Sequence, residues 1–228
     1  MSKRKKEIDK LVDKSKKYGL KEALSILKQV PRAKFDETVE LNFRMDVDPK
    51  QSSQVIRGTV ALPHGTGKSV RVAVFCKGEA ETRAKEAGAD FVGSSDLVDK
   101  VSKGWSEFDV AIATPDMMRD IGRLGKVLGP KGLMPSPKAG TVTPDVEKAV
   151  KEVKAGRIEY RMDKQSNIQV PMGKVSFDEK ALYENGKSLI EAVMGSRPVG
   201  LKGNYIKSIA ISTTMGPGLK LELSNIIG

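Results

Sequence analysis

Pro63-His64-Gly65-Thr66-Gly67-Lys68-Ser69-Val70-Arg71-Val72-Ala73-Val74-Phe75 joins two kinds of chain. Upstream, Glu37 to Asp46 alternates, with Thr38 and Glu40 on one face and Val39, Leu41, Phe43 and Met45 on the other, as a half-buried strand does. Gln54 to Leu62 alternates again after a turn at Asp48-Pro49. Before these strands, Ile8, Leu11, Val12 and Ser15 repeat at helical spacing. After Gly19 so do Leu20, Ala23, Leu24, Leu27 and Lys28, until Pro31 stops the run. Downstream of Gly67 the rhythm changes. Ser69–Phe75, Gly88–Val92 and Phe108–Ala113 are short apolar strands, and helical stretches at Glu79–Ala87, Leu97–Val101 and Asp116–Ile121 follow them in turn. Pro144 and Asp145 open another helix reaching about Lys154, proline suiting its first turn and aspartate its positive end. Short apolar strands alternating with helices predict a small parallel α/β domain.

From Arg157 the earlier character returns. Ile158–Arg161 and Ile168–Val170 flank a polar turn at Asp163–Asn167. An amphipathic helix spans 178–194, and Ile206–Thr213 alternates as a strand, with Leu219, Leu221 and Leu223 as another. Neither terminal part holds enough sheet to cover a core by itself. The economical reading joins residues 1–67 and 160–228 into one discontinuous α+β two-layer domain, with 68–159 inserted as an α/β domain.

Composition narrows the function. The chain has 228 residues, a net charge of +11 and a pI near 9.6, so an anionic partner is expected. The excess sits at the ends: +6 over residues 1–67 and +3 over 160–228, against +2 in the middle. The basic N-terminus Met1–Lys6 is followed by Glu7, Asp9 and Asp13 and has no apolar stretch behind it, unlike a secretory signal. No apolar run approaches the roughly 18 residues of a membrane span. One cysteine, Cys76, and one histidine, His64, leave no set for a His/Cys zinc site or for cysteine–histidine catalysis. Cys76, inside an apolar run, reads as a small buried hydrophobe in a reducing, cytoplasmic setting. No cofactor is expected.

Gly65-Thr66-Gly67-Lys68-Ser69 imitates part of a phosphate-binding loop, but position 62 is leucine where that motif needs glycine. Lys68-Ser69 also runs into a strand and not into a helix N-terminus. A flexible hinge between domains is the favoured reading, and a nucleotide-dependent enzyme the remote one.

Three stretches mix charge, hydroxyls, glycine and exposed apolar groups. Gly122 to Thr141 carries Arg123, Lys126, Lys131 and Lys138 among glycines and prolines with no acid, and predicts a surface loop facing an anion; its charges could equally just solvate the loop. Ser212-Thr213-Thr214-Met215-Gly216-Pro217-Gly218 caps a strand, where hydroxyls and amides can meet ribose and phosphate while the thioether packs on a sugar or base. A tight hairpin with a buried methionine is the alternative. In Ala33–Glu40, Lys34 offers charge, Phe35 an apolar platform or a core side chain, and Thr38 and Glu40 one strand face.

Taken together, Ala33–Glu40 (AKFDETVE), Arg57–His64 (RGTVALPH), Leu128–Thr141 (LGPKGLMPSPKAGT), Lys154–Glu159 (KAGRIE) and Thr213–Gly218 (TTMGPG) resemble the L1 family of bacterial large-subunit ribosomal proteins, in the family's order and over nearly the whole chain. The resemblance implies a two-domain protein, with the inserted domain Rossmann-like but without a dinucleotide. It implies binding to large-subunit ribosomal RNA at the base of a mobile stalk, assistance to exit-site tRNA release, and translational repression through the protein's own mRNA. It carries the principal RNA surface to Lys34, Phe35, Thr38 and Glu40 on one side and Thr213, Thr214, Met215, Gly216 and Pro217 on the other. Arg123, Lys126, Lys131 and Lys138 become candidate tRNA or stalk contacts, and Gly67, Arg157 and Glu159 the hinge. A monomer when free, with no membrane partner, is expected; an RNA-binding regulator acting mainly off the ribosome is the alternative function.

Overall fold

The structure is a computed structural model, and it describes every residue except 1, 2, 14, 32, 52, 53, 199, 200, 202 and 223–228. Leu223, expected to prolong the last strand, and Met1 and Ser2 of the basic N-terminus lie outside the described residues. In chain order the elements are α1 (Lys3–Leu11), α2 (Leu20–Gln29), β1 (Thr38–Met45), β2 (Arg57–Ala61), β3 (Val72–Phe75), α3 (Glu79–Glu86), β4 (Phe91–Gly93), α4 (Ser95–Ser102) and β5 (Val110–Ala113). They continue with α5 (Met118–Ile121), α6 (Gly125–Leu128), α7 (Val146–Lys154), β6 (Arg157–Arg161), β7 (Asn167–Lys174), α8 (Glu179–Gly195), β8 (Ile206–Thr213) and β9 (Leu219–Leu221). Two compact units result: Met1–Gly67 with Ile158–Gly228, and Lys68–Arg157. The second crossing falls after Arg157 because β6 is hydrogen-bonded to β2, which draws Ile158 and Glu159 into the first unit.

The first unit centres on an antiparallel sheet in the order β7-β1-β8-β9. Strand β1 is paired on both sides, with Val39 opposite Thr213 on β8 and Thr38 opposite Lys174 on β7. Its alternation has the expected consequence. Val39, Leu41, Phe43 and Met45 enter the core with Ile168, Val170 and Met172 of β7 and Ile209 and Ile211 of β8. Helices α2 and α8 supply Ala23, Leu24 and Leu27 and Leu182, Leu189, Ile190 and Val193 to the same core. Thr38, Glu40, Asn42 and Arg44 are left on the other face, half-buried or exposed.

The chain leaving this unit is tied down. The wholly buried Asn185 amide donates to the carbonyls of Gly65 (2.9 Å) and Met172 (2.8 Å) and accepts from the amide of His64 (3.0 Å). Gly67 follows with φ of 71°, and a Cβ there would stand 2.8 Å from the Phe177 ring. The segment expected to be a loose hinge is therefore held by α8 as far as Gly65, and glycine is required at 67 both by dihedral and by space.

The second unit has a parallel sheet ordered β4-β3-β5. All four residues of β3 are buried because helices cover both faces. Val72 and Val74 meet Ala84 of α3 and Val146, Ala149, Val150 and Val153 of α7. Ala73 and Phe75 meet Leu97 and Val101 of α4 together with Met117, Ile121, Leu124 and Leu128. Cys76 is buried as expected, and loss of solvation pushes its thiol up to about 11. Asp145 caps α7 by accepting from the amide of Lys148 (3.2 Å).

The Gly/Pro-rich stretch departs from expectation. Pro115–Leu128 is not a helix followed by a loop but a continuous run of α and 3-10 turns, with right-handed helical dihedrals at Met118, Gly122 and Gly125. Burial of Met117, Ile121, Leu124 and Leu128, spaced four, three and four residues apart, overrides the low helix propensity of the two glycines. Arg123 and Lys126 thus sit on helical turns, Lys131 in the turn that follows and Lys138 in a 3-10 turn at Pro137–Ala139.

Candidate nucleic-acid interface

Because β1 and β8 are neighbours in the sheet, the loop entering β1 and the turn leaving β8 come to one end of it. The two are locked together. The amide of Thr38 donates to the Thr214 hydroxyl (3.0 Å), and the amide of Thr214 donates to the Thr38 carbonyl (3.1 Å).

Glu37 makes the deeper connection. Its side chain is only 5% exposed, and its carboxylate accepts from four donors on three segments: the Arg4 guanidinium (2.9 Å), the Ala33 amide (3.0 Å), and the Thr213 hydroxyl (2.8 Å) and Met215 amide (2.9 Å) of one turn. Burial would raise its pKa, but the donors outweigh burial and hold the carboxyl below the usual carboxylate range. The Arg4 side chain also donates to the Pro31 carbonyl (2.9 Å), which ties α1 to the same corner.

On this frame Phe35 and Met215 stand out, 54% and 58% exposed, and Lys34 is exposed beside them in sequence. The alternatives of a core phenylalanine and a buried methionine are excluded. A shallow cavity of about 370 Å³ is lined by Ala33, Lys34, Phe35, Asp36, Glu37, Val175 and Ser176. Lys174 reaches across from β7 and donates to the Thr38 hydroxyl (3.0 Å). Asp36 accepts from the amide (3.1 Å) and hydroxyl (2.7 Å) of Ser176. A register shift between Val39 and Glu40 on the β7 side places Thr38 opposite Lys174.

Two expected contacts have internal work. The Thr213 hydroxyl points inward to Glu37 and Thr213 is buried, so its side chain is not free for a partner. Gly216 packs its backbone so closely on that hydroxyl that a Cβ would collide with it, so its glycine is required within the turn itself. Glu40 and Pro217 remain half-buried at the surface. Glu37, Arg4 and Lys174 were not among the expected site residues. Glu37 carries a visible signal, an acid at the core-facing phase of the 37, 39, 41, 43 alternation. Nothing in the local sequence marks Arg4 or Lys174, because both reach the site through tertiary structure.

The four cations of the Gly/Pro stretch belong to the second unit. Arg123, Lys126, Lys131 and Lys138 are all exposed, and the Lys131 amine donates to the Ser106 hydroxyl (2.5 Å). Lys68, the lysine of the phosphate-loop imitation, bridges to Asp109 (2.6 Å), and with Arg71 it holds that carboxyl down to about 2. No helix begins there to cradle a phosphate. Among the described residues no group of His, Cys, Asp and Glu is arranged to hold a metal ion, and no helix is long and apolar enough to cross a membrane.

An apolar, hydroxyl-rich surface of this kind, on a basic chain, fits RNA read by shape and ribose contacts. A family model described as the ribosomal protein L1p/L10e family matches residues 27–217, which takes in both halves of the surface. The chain belongs to this family. It is 54% identical over 226 residues to the large ribosomal subunit protein uL1 of Kosmotoga olearia, covering 99% of this chain and 98% of that protein. It is 58% identical over 222 residues to the proteins of the same name from Thermosipho melanesiensis and Thermosipho africanus, covering 97% of this chain and 96% of each. As a uL1-family ribosomal protein it binds ribosomal RNA and serves translation, and it is not an enzyme.

Proposed function

We propose that the first unit anchors the protein at the base of the mobile stalk of the large subunit. The surface would be Lys34, Phe35, Thr38 and Glu40 with Thr214, Met215, Gly216 and Pro217, and Thr213 would act from inside by holding the turn. The observation that supports this reading best is the pair of exposed apolar side chains, Phe35 and Met215, on segments fixed by one buried carboxylate. Such a surface offers stacking and ribose contacts without reorganisation on binding, while net charge supplies long-range attraction.

The inserted unit, Rossmann-like and without a dinucleotide, would reach stalk RNA and exit-site tRNA through Arg123, Lys126, Lys131 and Lys138. The crossings at Gly67 and Arg157–Glu159 would act as hinges while tRNA leaves. The same first-unit surface would take a stalk-like site on the protein's own mRNA and repress its translation. The free protein is a cytoplasmic monomer in this reading. Titration of the purified protein into a short stalk-base fragment of the large ribosomal RNA tests the anchor. Tight binding, weakened in Phe35→Ala, is expected; affinity no better than for an unrelated hairpin would refute it.

A further inference from the structure

The turn that ends β7 faces two places at once. On one side it is bonded to the segment that carries Phe35 and enters β1. The Val175 amide donates to the Glu37 carbonyl (2.9 Å), and the Ser176 amide and hydroxyl hold the Asp36 carboxylate (3.1 and 2.7 Å). The Phe177 amide closes the turn on the Lys174 carbonyl (3.0 Å). On the other side the turn encloses Gly67, the last residue of the first unit before the chain crosses. A Cβ on Gly67 would stand 2.8 Å from the Phe177 ring and 2.9 Å from Cγ of Lys174, so ring and lysine stem together wall in the glycine.

Lys174 belongs to both sides. It stands opposite Thr38 in the register, so the two side chains share a face of the sheet. Its amine donates to the Thr38 hydroxyl (3.0 Å) and, at 3.4 Å, to the Asp36 carbonyl. Both acceptors are neutral, and among the described residues no carboxylate pairs with this amine. A phosphate oxygen carries charge and attracts a lysine amine more strongly than a hydroxyl or a carbonyl does. The flexible four-carbon stem lets the amine swing to such an oxygen, which takes Cγ off Gly67 and leaves Phe177 alone against it. The side chain thus has two discrete arrangements, and each end of the turn favours one of them.

We propose that Lys174 is a ligand-operated clamp on the exit of the first unit. With the anchor surface empty its stem packs on Gly67; a phosphate of RNA seated on Phe35 and Thr38 draws the amine outward and frees the glycine's backbone. Binding at the surface and mobility at the crossing are then linked, and a change of backbone at Gly67 that displaces the stem raises RNA affinity by the same factor. The link rests on the anchor and hinge readings given under Proposed function, and goes beyond them in tying one to the other through a single side chain.

Two variants of the full-length protein separate stem from amine. K174M keeps an apolar stem against Gly67 but has no amine, and K174A lacks both. Backbone order parameters of Gly67 and Lys68 are measured by NMR relaxation, first without RNA. The parent and K174M are expected near the roughly 0.85 of rigid backbone and K174A below about 0.6. A mobile parent, or a K174A as rigid as the parent, would overturn the clamp with no RNA involved. The short stalk-base fragment of the large ribosomal RNA is then added to saturation. In the parent the two order parameters should fall toward about 0.6, opposite to the stiffening that binding ordinarily brings, while K174M stays rigid. K174M should also bind the fragment severalfold more weakly, with a log–log salt slope smaller by about one unit. Unchanged or higher order parameters in the RNA-bound parent, an equal fall in K174M, or a parental salt slope in K174M would each overturn the proposal. A merely structural lysine would lower stability yet leave the RNA-dependent fall in place. Absence of binding by the parent would strike the anchor reading and the RNA step with it, leaving the clamp to the measurement without RNA.

Discussion

Replacing Glu37 by glutamine changes one buried atom and should disturb both stability and RNA binding. The carboxylate offers two oxygens, one taking Arg4 and the Ala33 amide, the other taking the Thr213 hydroxyl and the Met215 amide. Glutamine has one carbonyl oxygen, so its NH2 must face one of these donor pairs. The Thr213 hydroxyl can rotate to accept, but the Met215 N–H cannot, and the Ala33 N–H and the guanidinium cannot either. The Met215 N–H is therefore left without its acceptor in one orientation, and the Ala33 N–H and the guanidinium both lose theirs in the other. Hydrogen bonds to a charged group contribute about 1.5–3 kcal/mol, so a loss of about 2–3 kcal/mol from the first unit is expected in denaturant titrations. The Met215 turn loosens with it, and stalk-base RNA affinity should fall about tenfold, roughly 1.4 kcal/mol. The pH dependence has a fixed sign. The folded pKa of Glu37 is depressed, so the parent's advantage over Glu37→Gln is fully present above the unfolded value of about 4.3 and shrinks as pH falls through the folded pKa. Equal midpoints for the two proteins at neutral pH, with unchanged RNA affinity, would refute the role given to this carboxylate.

Thr214→Val removes the acceptor of the Thr38 amide and should cost about 0.5–1.5 kcal/mol of stability as well as RNA affinity, so both are measured on the same sample. Phe35→Ala should leave stability within about 0.5 kcal/mol, because the ring is more than half exposed, but weaken RNA binding by about 1–3 kcal/mol if a base or ribose packs on it. Gly67→Ala should destabilise the first unit by more than about 1 kcal/mol, since its φ is positive and Phe177 fills the space, and a cooperative melt would show it. Residues 1–67 joined to 158–228 through a short linker should fold and keep most stalk-base affinity; a disordered product would show that the first unit needs the second.

Periodicity made most of this architecture legible. The β1 alternation assigned every core residue of that strand correctly, and the continuous apolar run of β3 announced a strand covered on both faces. At the candidate surface the residues alone left Phe35 and Met215 open between core and platform, because neither side chain's exposure is written in its local pattern, and only the structure shows both exposed. The site was illegible where a contact spans the chain: Arg4 meets Glu37 across 33 residues and Thr213 meets it across 176. The helical run from Pro115 was hidden for another reason. Glycine and proline dominate local propensity, whereas four buried aliphatic and thioether side chains, invisible until packed, decide the outcome.

The position of β1 between β7 and β8 has a consequence for how the protein is made. Its partners are the last large pieces of the chain to be synthesised. While the inserted unit can fold as soon as it emerges, Thr38 and Glu37 must wait for Thr213 and Thr214, 176 residues later. At about 5–20 residues per second that is a delay of roughly 10–35 s. A nascent or truncated chain ending before Met215 thus carries the phenylalanine half of the proposed RNA surface but cannot close the carboxylate hub that sets it. Repressor activity, if it uses this surface, would be switched on by completion of the chain, and unfinished copies would be silent.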